Sequence, residues 1–110
     1  PSVKPLLDIP RMGEIVIGML KDAITAFIDD NPDLALKVCE RDNTVDELRT
    51  QIIRELVTFM IEDPKTIERA LQLMKIASNL ERIADLATNI GEDVIYMVKG
   101  TVIKHHKDQA

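Results

Sequence analysis

The sequence predicts an all-α protein, an antiparallel up-down-up bundle of three helices. Apolar residues recur every three or four positions through most of the 110 residues, and an Asn-Pro and an Asp-Pro step divide that pattern into three stretches. Such spacing places side chains on one face of a helix, where a neighbouring helix can bury them. Connections of two to four residues require consecutive long helices to run antiparallel. Only 3% of the residues are aromatic, so aliphatic side chains must fill the core.

The first helix is predicted to run from about Pro10 to Asp30. Proline suits the first helical position, because its φ is already helical and its missing N–H would have no partner there. Residues 1–9 hold two prolines and no period, so we interpret them as linker-like. Since the chain starts with Pro1 rather than Met, we expect a fragment of a longer protein. The residues expected on the buried face are Met12, Ile15, Val16, Met19, Ala23, Ala26 and Phe27.

The second helix is predicted to start at the Asn31-Pro32 step and to end near Ile61. The side-chain oxygen of Asn31 can accept a hydrogen bond from the first turn, and Pro32 then occupies the first helical position. Asp33 adds a negative charge at the positive end of the helix dipole. The residues expected on the buried face are Leu34, Val38, Val45, Leu48, Ile52, Leu56 and Phe59.

The third helix is predicted from Asp63-Pro64, which repeats the same start signal, to about Lys99. Gly100 is the expected stop, because glycine readily adopts the left-handed conformation that ends many helices. Glycine inside the helix costs about 1 kcal/mol against alanine, so Gly91 indicates a close approach of another helix. The residues expected on the buried face are Leu73, Ala77, Leu80, Ala84, Ala87, Gly91, Val94 and Val98. The bundle thus covers residues 10–100.

Charge and composition exclude several classes of function. A net charge of −5 argues against nonspecific nucleic-acid binding and against adhesion to an anionic membrane. The most apolar run, Ile15 to Leu20, is far shorter than the roughly 20 residues of a membrane span, so we expect no membrane insertion. Cys39, the single cysteine, cannot form an internal disulfide and is expected to be a small buried residue. We therefore expect a cytoplasmic protein.

Two acidic pairs are the candidate site. Glu81 and Asp85 are one helical turn apart in the third helix, and Asp42 and Asp46 repeat that spacing in the second. Acids at this spacing repel each other, so they need solvent, a counter-charge such as Arg82, or a bound cation. If both pairs face the same open side, four carboxylates suit a hard or borderline cation. The alternative is that these acids only solvate a helical surface, since a chain with 19 acids produces such pairs often.

The sequence offers little support for an enzyme. A carboxylate-bridged di-iron enzyme needs a Glu-x-x-His pair from each of two helices. The only histidines are His105 and His106, within the basic segment 101–110 that we interpret as a solvated tail. Glycine-rich phosphate loops, Cys-x-x-Cys motifs and a placed nucleophile with its base are absent from the sequence. A third interpretation is a metal-free interaction module whose acidic face docks on a basic patch of a partner.

Both acidic pairs lie in longer runs with a familiar pattern, LMKIASNLERIADLATNIGEDVIYM in the third helix and DNTVDELRTQIIRELVTFM in the second. The first run resembles the signature helix of the PhoU family of bacterial phosphate-signalling regulators, and the second is similar to the helix before it. The metal-cluster motif of the family, an acidic residue followed four positions later by Asp, occurs as ERIAD and as DNTVD. The resemblance implies a multinuclear iron or zinc cluster, or no metal as in some members. Its implied ligands are Glu81, Asp85, Asp42 and Asp46, with Glu92 and Asn89 in second rank.

The resemblance also implies a function. Family proteins consist of two three-helix halves, so residues 10–100 would supply one half, which we expect to be the C-terminal one. The implied protein is a cytoplasmic, non-enzymatic negative regulator of phosphate uptake and of the phosphate-starvation response. It would contact the ATPase of the phosphate transporter and a membrane sensor histidine kinase. A lone half should form a homodimer or pair with its missing other half.

Overall fold

Three long helices form the protein, as the sequence predicts. The computed structural model describes the backbone of residues 3–109 and the side chains of residues 8–100. The helices are α1 (Val3–Asp29), α2 (Pro32–Glu62) and α3 (Ile67–Gln109), with one 3₁₀ turn, Pro64–Thr66, before α3. Each long helix contacts the other two, and no strand occurs within residues 3–109. The predicted all-α up-down-up bundle is therefore confirmed, as a rod of 69 × 18 × 16 Å.

Both predicted turns are present and have the expected caps. Asp30, in the left-handed region at φ 50°, ends α1, and the N–H of Asn31 donates to the Ala26 carbonyl at 2.9 Å, which closes a Schellman-type turn. The Asn31 side chain then accepts from the N–H of Leu34 at 3.1 Å and caps α2. A corresponding cap forms at the second turn, where the Asp63 side chain accepts from the backbone N–H of the 3₁₀ turn at 3.1 Å.

The predicted start of the first helix at Pro10 is wrong. Residues 3–9, predicted as a linker, are already part of α1, and Pro10 lies inside the helix. Pro5 falls in the first turn, where a missing N–H leaves no helical bond unmade. An interior proline costs about 3 kcal/mol. Ile9 packs against the core next to Pro10, and its burial helps to offset that cost.

The predicted stop at Gly100 is also wrong. A glycine ends a helix by adopting a positive φ, and no described glycine does so. The helix therefore continues through Gly100, and the segment predicted as a tail is helical up to Gln109. The side chains of residues 101–110, including both histidines, lie outside the described part.

The buried faces agree with the apolar spacing, with few exceptions. Phe27 is 52% exposed, so its predicted burial is wrong, whereas the buried Ala35 and Ala70 were not predicted. The three helices contribute side chains of different size. The largest fully buried side chains come mainly from α1 and α2: Met12, Met19, Ile52, Val16, Val38 and Val45. The matching positions of α3 are small and recur at intervals of seven: Ala70, Ala77, Ala84 and Gly91.

Candidate functional site

The two predicted acidic pairs lie along one groove, between α2 and α3. The Thr88 hydroxyl donates to Asp42 Oδ1 at 3.3 Å, and Arg49 forms an ion pair with Glu81. These contacts fix one antiparallel register, in which α3 residues near position 85 lie opposite Asp46. The side chains of the acidic groove are Asp42, Asp46, Glu81, Asp85 and Glu92.

The carboxylates of the acidic groove repel one another, and this repulsion adds to the effect of burial on the pKa of Asp42. Burial raises the pKa of Asp42, and the neighbouring carboxylate of Asp46 raises it further. The hydrogen bond from Thr88 favours the ionised form and partly opposes this rise, whereas Asp85 and Glu92 add to it. The second-rank residue Glu92 therefore belongs to the same negative field. A positive group placed in the groove would relieve this repulsion.

One acid of the groove already has a positive partner, Arg49. The Glu81 Oε2 and Arg49 Nε atoms of this ion pair are both shielded from solvent, although the side chains are 25% and 37% exposed. The counter-charge considered from sequence, Arg82, is instead exposed. Sequence reasoning missed Arg49, although a signal was present. Arg49 follows Asp46 by three residues and Asp42 by seven, which places all three on one face of α2.

The remaining candidate residues lie at the edge of the groove. Cys39 is half-buried rather than buried, and its thiol makes a weak contact of 3.8 Å to the Thr88 carbonyl. Burial raises the pKa of the Cys39 thiol, and the carboxylates of Glu92 and Asp42 raise it further. Asn89, the other second-rank ligand, is exposed. It follows Asp85 by four residues and precedes Glu92 by three, so it lies beside these acids, on the outer side of their line along α3.

The acids have the right chemistry for a metal, but they do not converge on one point. Carboxylate oxygens are suitable ligands for iron and zinc. Within residues 8–100, however, no three Asp, Glu, His or Cys side chains form a group that could hold a metal ion. The pairing with Arg49 directs Glu81 to a guanidinium, and Asp42, Asp46 and Asp85 form no such group by themselves. The residues as they lie do not fit a metal cluster.

A second surface, which the sequence reasoning did not locate, lies beside the seam between α1 and α3. Gly13 faces Leu80, since a Cβ on this glycine would be 4.0 Å from Leu80 Cδ1. Exposed apolar side chains follow helical lines next to this contact on both helices. We call this surface the α1–α3 apolar face, and it comprises Ile17, Ile24 and Ile28 of α1 with Ile76, Ile83 and Leu86 of α3. No helix in the described part of the chain is long and apolar enough to cross a membrane.

Comparison with known proteins gives the family. A family model described as PhoU domain matches residues 9–94. The "Phosphate-specific transport system accessory protein PhoU homolog 2" of Thermotoga maritima is 45% identical over 109 residues, which are 99% of this chain and 46% of that protein. The PhoU homolog of Aquifex aeolicus is 47% identical over 105 residues, 96% of this chain and 48% of that protein.

A solved structure agrees with this match. The crystal structure of PhoU from Pseudomonas aeruginosa superimposes with a TM-score of 0.81 at 45% sequence identity, over 83% of this chain and 44% of that one. The chain thus spans less than half the length of the relatives it matches. Since the family model covers most of the sequence and the fold agrees, the chain belongs to the PhoU family.

Proposed function

We propose that this chain is one half of an accessory regulator that restrains phosphate uptake and the phosphate-starvation response. The observation that carries the proposal is the match of residues 9–94 to the PhoU domain, together with relatives named phosphate-specific transport system accessory proteins. The regulator would act in the cytoplasm without catalysing a reaction. Its partners would be the ATPase of the phosphate transporter and a membrane sensor histidine kinase.

The acidic groove is the surface proposed to meet a partner. Mutually repelling carboxylates in a partly buried groove attract a basic patch, and a charged contact of this kind also speeds association. The ion pair between Arg49 and Glu81 favours this metal-free mode, because it leaves the other four acids of the groove, Asp42, Asp46, Asp85 and Glu92, to attract a basic partner. Docking of a basic partner would then relieve the remaining repulsion.

A binding experiment with the purified transporter ATPase tests this proposal. The double variant Asp46→Asn/Asp85→Asn should bind the ATPase about tenfold more weakly, and the loss should shrink as salt is raised. As a matched control, Asp93→Asn/Asp33→Asn removes the same charge outside the groove and should retain the affinity of the parent. Equal affinities for all three proteins would exclude the groove as the docking surface.

A second candidate function is metal binding, and the raised pKa of Asp42 favours it because a cation would relieve the same repulsion. We propose that iron or zinc, when bound, draws together Asp42, Asp46 and Asp85, which form no metal-holding group as they lie, and that Glu81 joins them after it leaves Arg49. Glu92 would add to the negative field, and Asn89, one helical turn from Asp85, would lie next to the bound ion. A bound cation would connect α2 with α3 and so stabilise the bundle.

Thermal melts with and without added zinc or iron test the metal proposal. Metal in hundredfold excess over its dissociation constant should stabilise the parent by about 2.7 kcal/mol, and Asp85→Asn by less. Asp85→Asn should remain folded without metal, because it also removes a like-charged neighbour of Glu81. Identical shifts in the parent, in Asp85→Asn and in the control Asp93→Asn would exclude a metal site in the groove.

We further propose that the α1–α3 apolar face is covered in the assembled protein. Large exposed apolar patches are uncommon on monomers, and the relatives are more than twice as long as this chain. In a protein of that length the other half would cover the face. The chain alone would cover it with a second copy, as a homodimer.

A further inference from the structure

The side of α3 that faces away from α2 carries a regular line of seven positions. Successive members are three or four residues apart, as the a and d positions of a coiled coil are. The apolar members are exposed or only partly buried, and the two polar members, Asn79 and Asp93, are exposed. We call this line the outer seam of α3, and it comprises Ile76, Asn79, Ile83, Leu86, Ile90, Asp93 and Met97.

The outer seam has the same pattern in both directions from Leu86. Asn79 precedes Leu86 by seven residues, and Asp93 follows it by seven. Between them, Ile83 precedes Leu86 by three residues and Ile90 follows it by four. A second α3 laid antiparallel on the first, with Leu86 against Leu86, therefore brings apolar members against apolar members. It also brings Asn79 against Asp93 of the second copy, so that the amide can donate a hydrogen bond to the carboxylate at two equivalent places.

The first helix indicates a two-fold axis at the same level. α1 and α3 run in the same direction, and a Cβ on Gly13 would be 4.0 Å from Leu80 Cδ1, so these two residues are level with each other. Leu86 lies six residues beyond Leu80, and the same step from Gly13 leads to Met19. A two-fold axis that crosses both helices at this level pairs α1 positions that lie about equally far before and after Met19.

The α1 residues paired by this axis are complementary in size. Gly13 lies six residues before Met19 and Ile24 lies five after it, so the smallest residue of the exposed line meets a large one. Ile17 meets Leu20, which is only partly buried within one copy. The pattern on α1 and the pattern on α3 thus agree on one axis to within about one residue.

The area of the face is sufficient for a dimer. The outer seam spans 21 residues from Ile76 to Met97, which is about 32 Å of helix. Two adjacent helices present a strip about 20 Å wide, so each copy offers roughly 600 Å². The two copies together would bury about 1,200 Å², the lower end of the range for specific interfaces.

We infer that a second copy of this chain covers the α1–α3 apolar face by two-fold antiparallel packing of α3 on α3, with Leu86 at the axis and Asn79 paired with Asp93. The inference rests on the proposed homodimer and adds its register and its polar contact. Asn79 and Asp93 determine the register, because sliding one copy by a turn would place each of them against an apolar side chain without a hydrogen-bond partner.

Exchanging the charges at the two polar positions tests this pairing by sedimentation equilibrium. Asn79→Asp sets two carboxylates against each other at both places and should raise the dimer dissociation constant about tenfold or more. Asp93→Lys added to Asn79→Asp turns both contacts into ion pairs and should restore the parent value to within about threefold. Asn89→Asp adds the same charge at an exposed α3 position outside the seam and should change the constant by less than about twofold.

The double variant decides the outcome of the charge exchange. Weakening by Asn79→Asp that Asp93→Lys does not reverse would overturn the contact between Asn79 and Asp93. Equal weakening by Asn89→Asp would overturn it in favour of a net-charge effect. Asp93→Asn should keep the dimer, because two facing amides can still form a hydrogen bond.

Chemical cross-linking locates the axis independently of charge. In a chain whose native thiol is removed by Cys39→Ser, Leu86→Cys places two thiols at the axis, and a short bismaleimide should join the copies. Ile76→Cys is the matched control, because ten residues on either side of the axis separate its two thiols by about 30 Å. Equal cross-linking of both variants would indicate parallel helices and overturn the inference, as would no cross-linking of a dimeric Leu86→Cys variant.

The outcomes also separate this inference from the proposed homodimer. A dimer that fails the charge exchange and the cross-linking would overturn the register and leave the homodimer standing. A monomeric parent would overturn both and leave the face to the other half of a longer protein. The proposed docking function of the acidic groove is tested by binding of the ATPase and does not depend on either result.

Discussion

Gly91 of α3 lies directly against the backbone of Ala35 in α2. A Cβ built on Gly91 would be 3.0 Å from the Ala35 carbonyl oxygen and 3.2 Å from Cys39 Sγ, closer than most Cβ atoms approach any neighbour. A carbonyl oxygen in a helix cannot rotate away as a flexible side chain can. The absence of a side chain at Gly91 therefore sets how closely α2 and α3 pack at this level of the bundle.

Gly91→Ala should lower the free energy of unfolding by about 1 to 3 kcal/mol, because the overpacking outweighs the gain of about 1 kcal/mol in helix propensity. Gly18→Ala is the matched control in α1, where a Cβ would be 3.6 Å from Arg41 Nη1, an ordinary contact. It should raise stability by up to about 1 kcal/mol. Urea unfolding of both variants measures the two effects, and a stabilising Gly91→Ala would contradict the close approach.

Asp42→Asn should make the protein more stable at neutral pH. The pKa of Asp42 is raised in the folded state by burial and by Asp46, so ionisation of this carboxyl opposes folding. The stability that protonated Asp42 contributes is fully present below the ordinary aspartate pKa of about 3.9 and is lost as pH rises through the higher folded value. Asparagine keeps an acceptor for the Thr88 hydroxyl.

The pH dependence of stability distinguishes the effect of the raised Asp42 pKa from the effect of a change in net charge. The stability difference between Asp42→Asn and the parent should narrow as pH falls and disappear below the ordinary aspartate pKa. Asp93→Asn changes the net charge equally at an exposed position and serves as the comparison in the same urea titrations. A difference that stays constant from neutral to acidic pH would contradict the raised pKa of Asp42.

Cys39 should react slowly with a thiol-specific disulfide reagent. Burial and the carboxylates of Glu92 and Asp42 raise the pKa of its thiol, so less of the reactive thiolate is present at mildly alkaline pH. The reaction should be faster in urea, and Glu92→Gln should speed it in the folded protein by removing one negative neighbour. Asp93→Asn, on the adjacent residue, is the control. Equal rates in folded and unfolded protein would show that Cys39 is not protected.

The α1–α3 apolar face should drive self-association of the isolated chain. Light scattering at high protein concentration is expected to report a dimer for the parent. Ile24→Lys/Ile83→Lys introduces two charges into the face and should yield a monomer. The control is Ile61→Lys, at an exposed position near the end of α2 and outside the face. A monomeric parent, or a dimer that survives the double substitution, would count against this interface.

Local sequence signals predicted the fold well where each signal is compatible with only one local structure. The side-chain caps of Asn31 and Asp63 and the glycine contact at Gly91 each have a direct physical reading, and the structure confirms all three. Pro10 and Gly100 were misread because each signal permits two outcomes. A proline can open a helix or lie inside one that tertiary packing stabilises, and a glycine stops a helix only when its φ becomes positive.

The site could be predicted only in part, for a different reason. Helical spacing predicted that Asp42 and Asp46 share one face of α2 and that Glu81 and Asp85 share one face of α3. It does not predict the axial register of α2 against α3. The structure supplies that alignment and brings both pairs to one groove. Arg49 escaped notice because its partner is remote in sequence, and the contact depends on register and on side-chain rotamers together.

The seven-residue repeat of Ala70, Ala77, Ala84 and Gly91 has a consequence for how α3 is held. Small side chains form low ridges, so this strip of the helix offers few projections that would resist sliding along its neighbours. The polar links to α2, which are the Thr88 hydrogen bond to Asp42 and the Glu81 ion pair with Arg49, therefore add to the resistance to axial slippage that larger α3 side chains such as Leu80 provide. The acidic groove therefore also helps to keep α3, the longest helix, in register with α2.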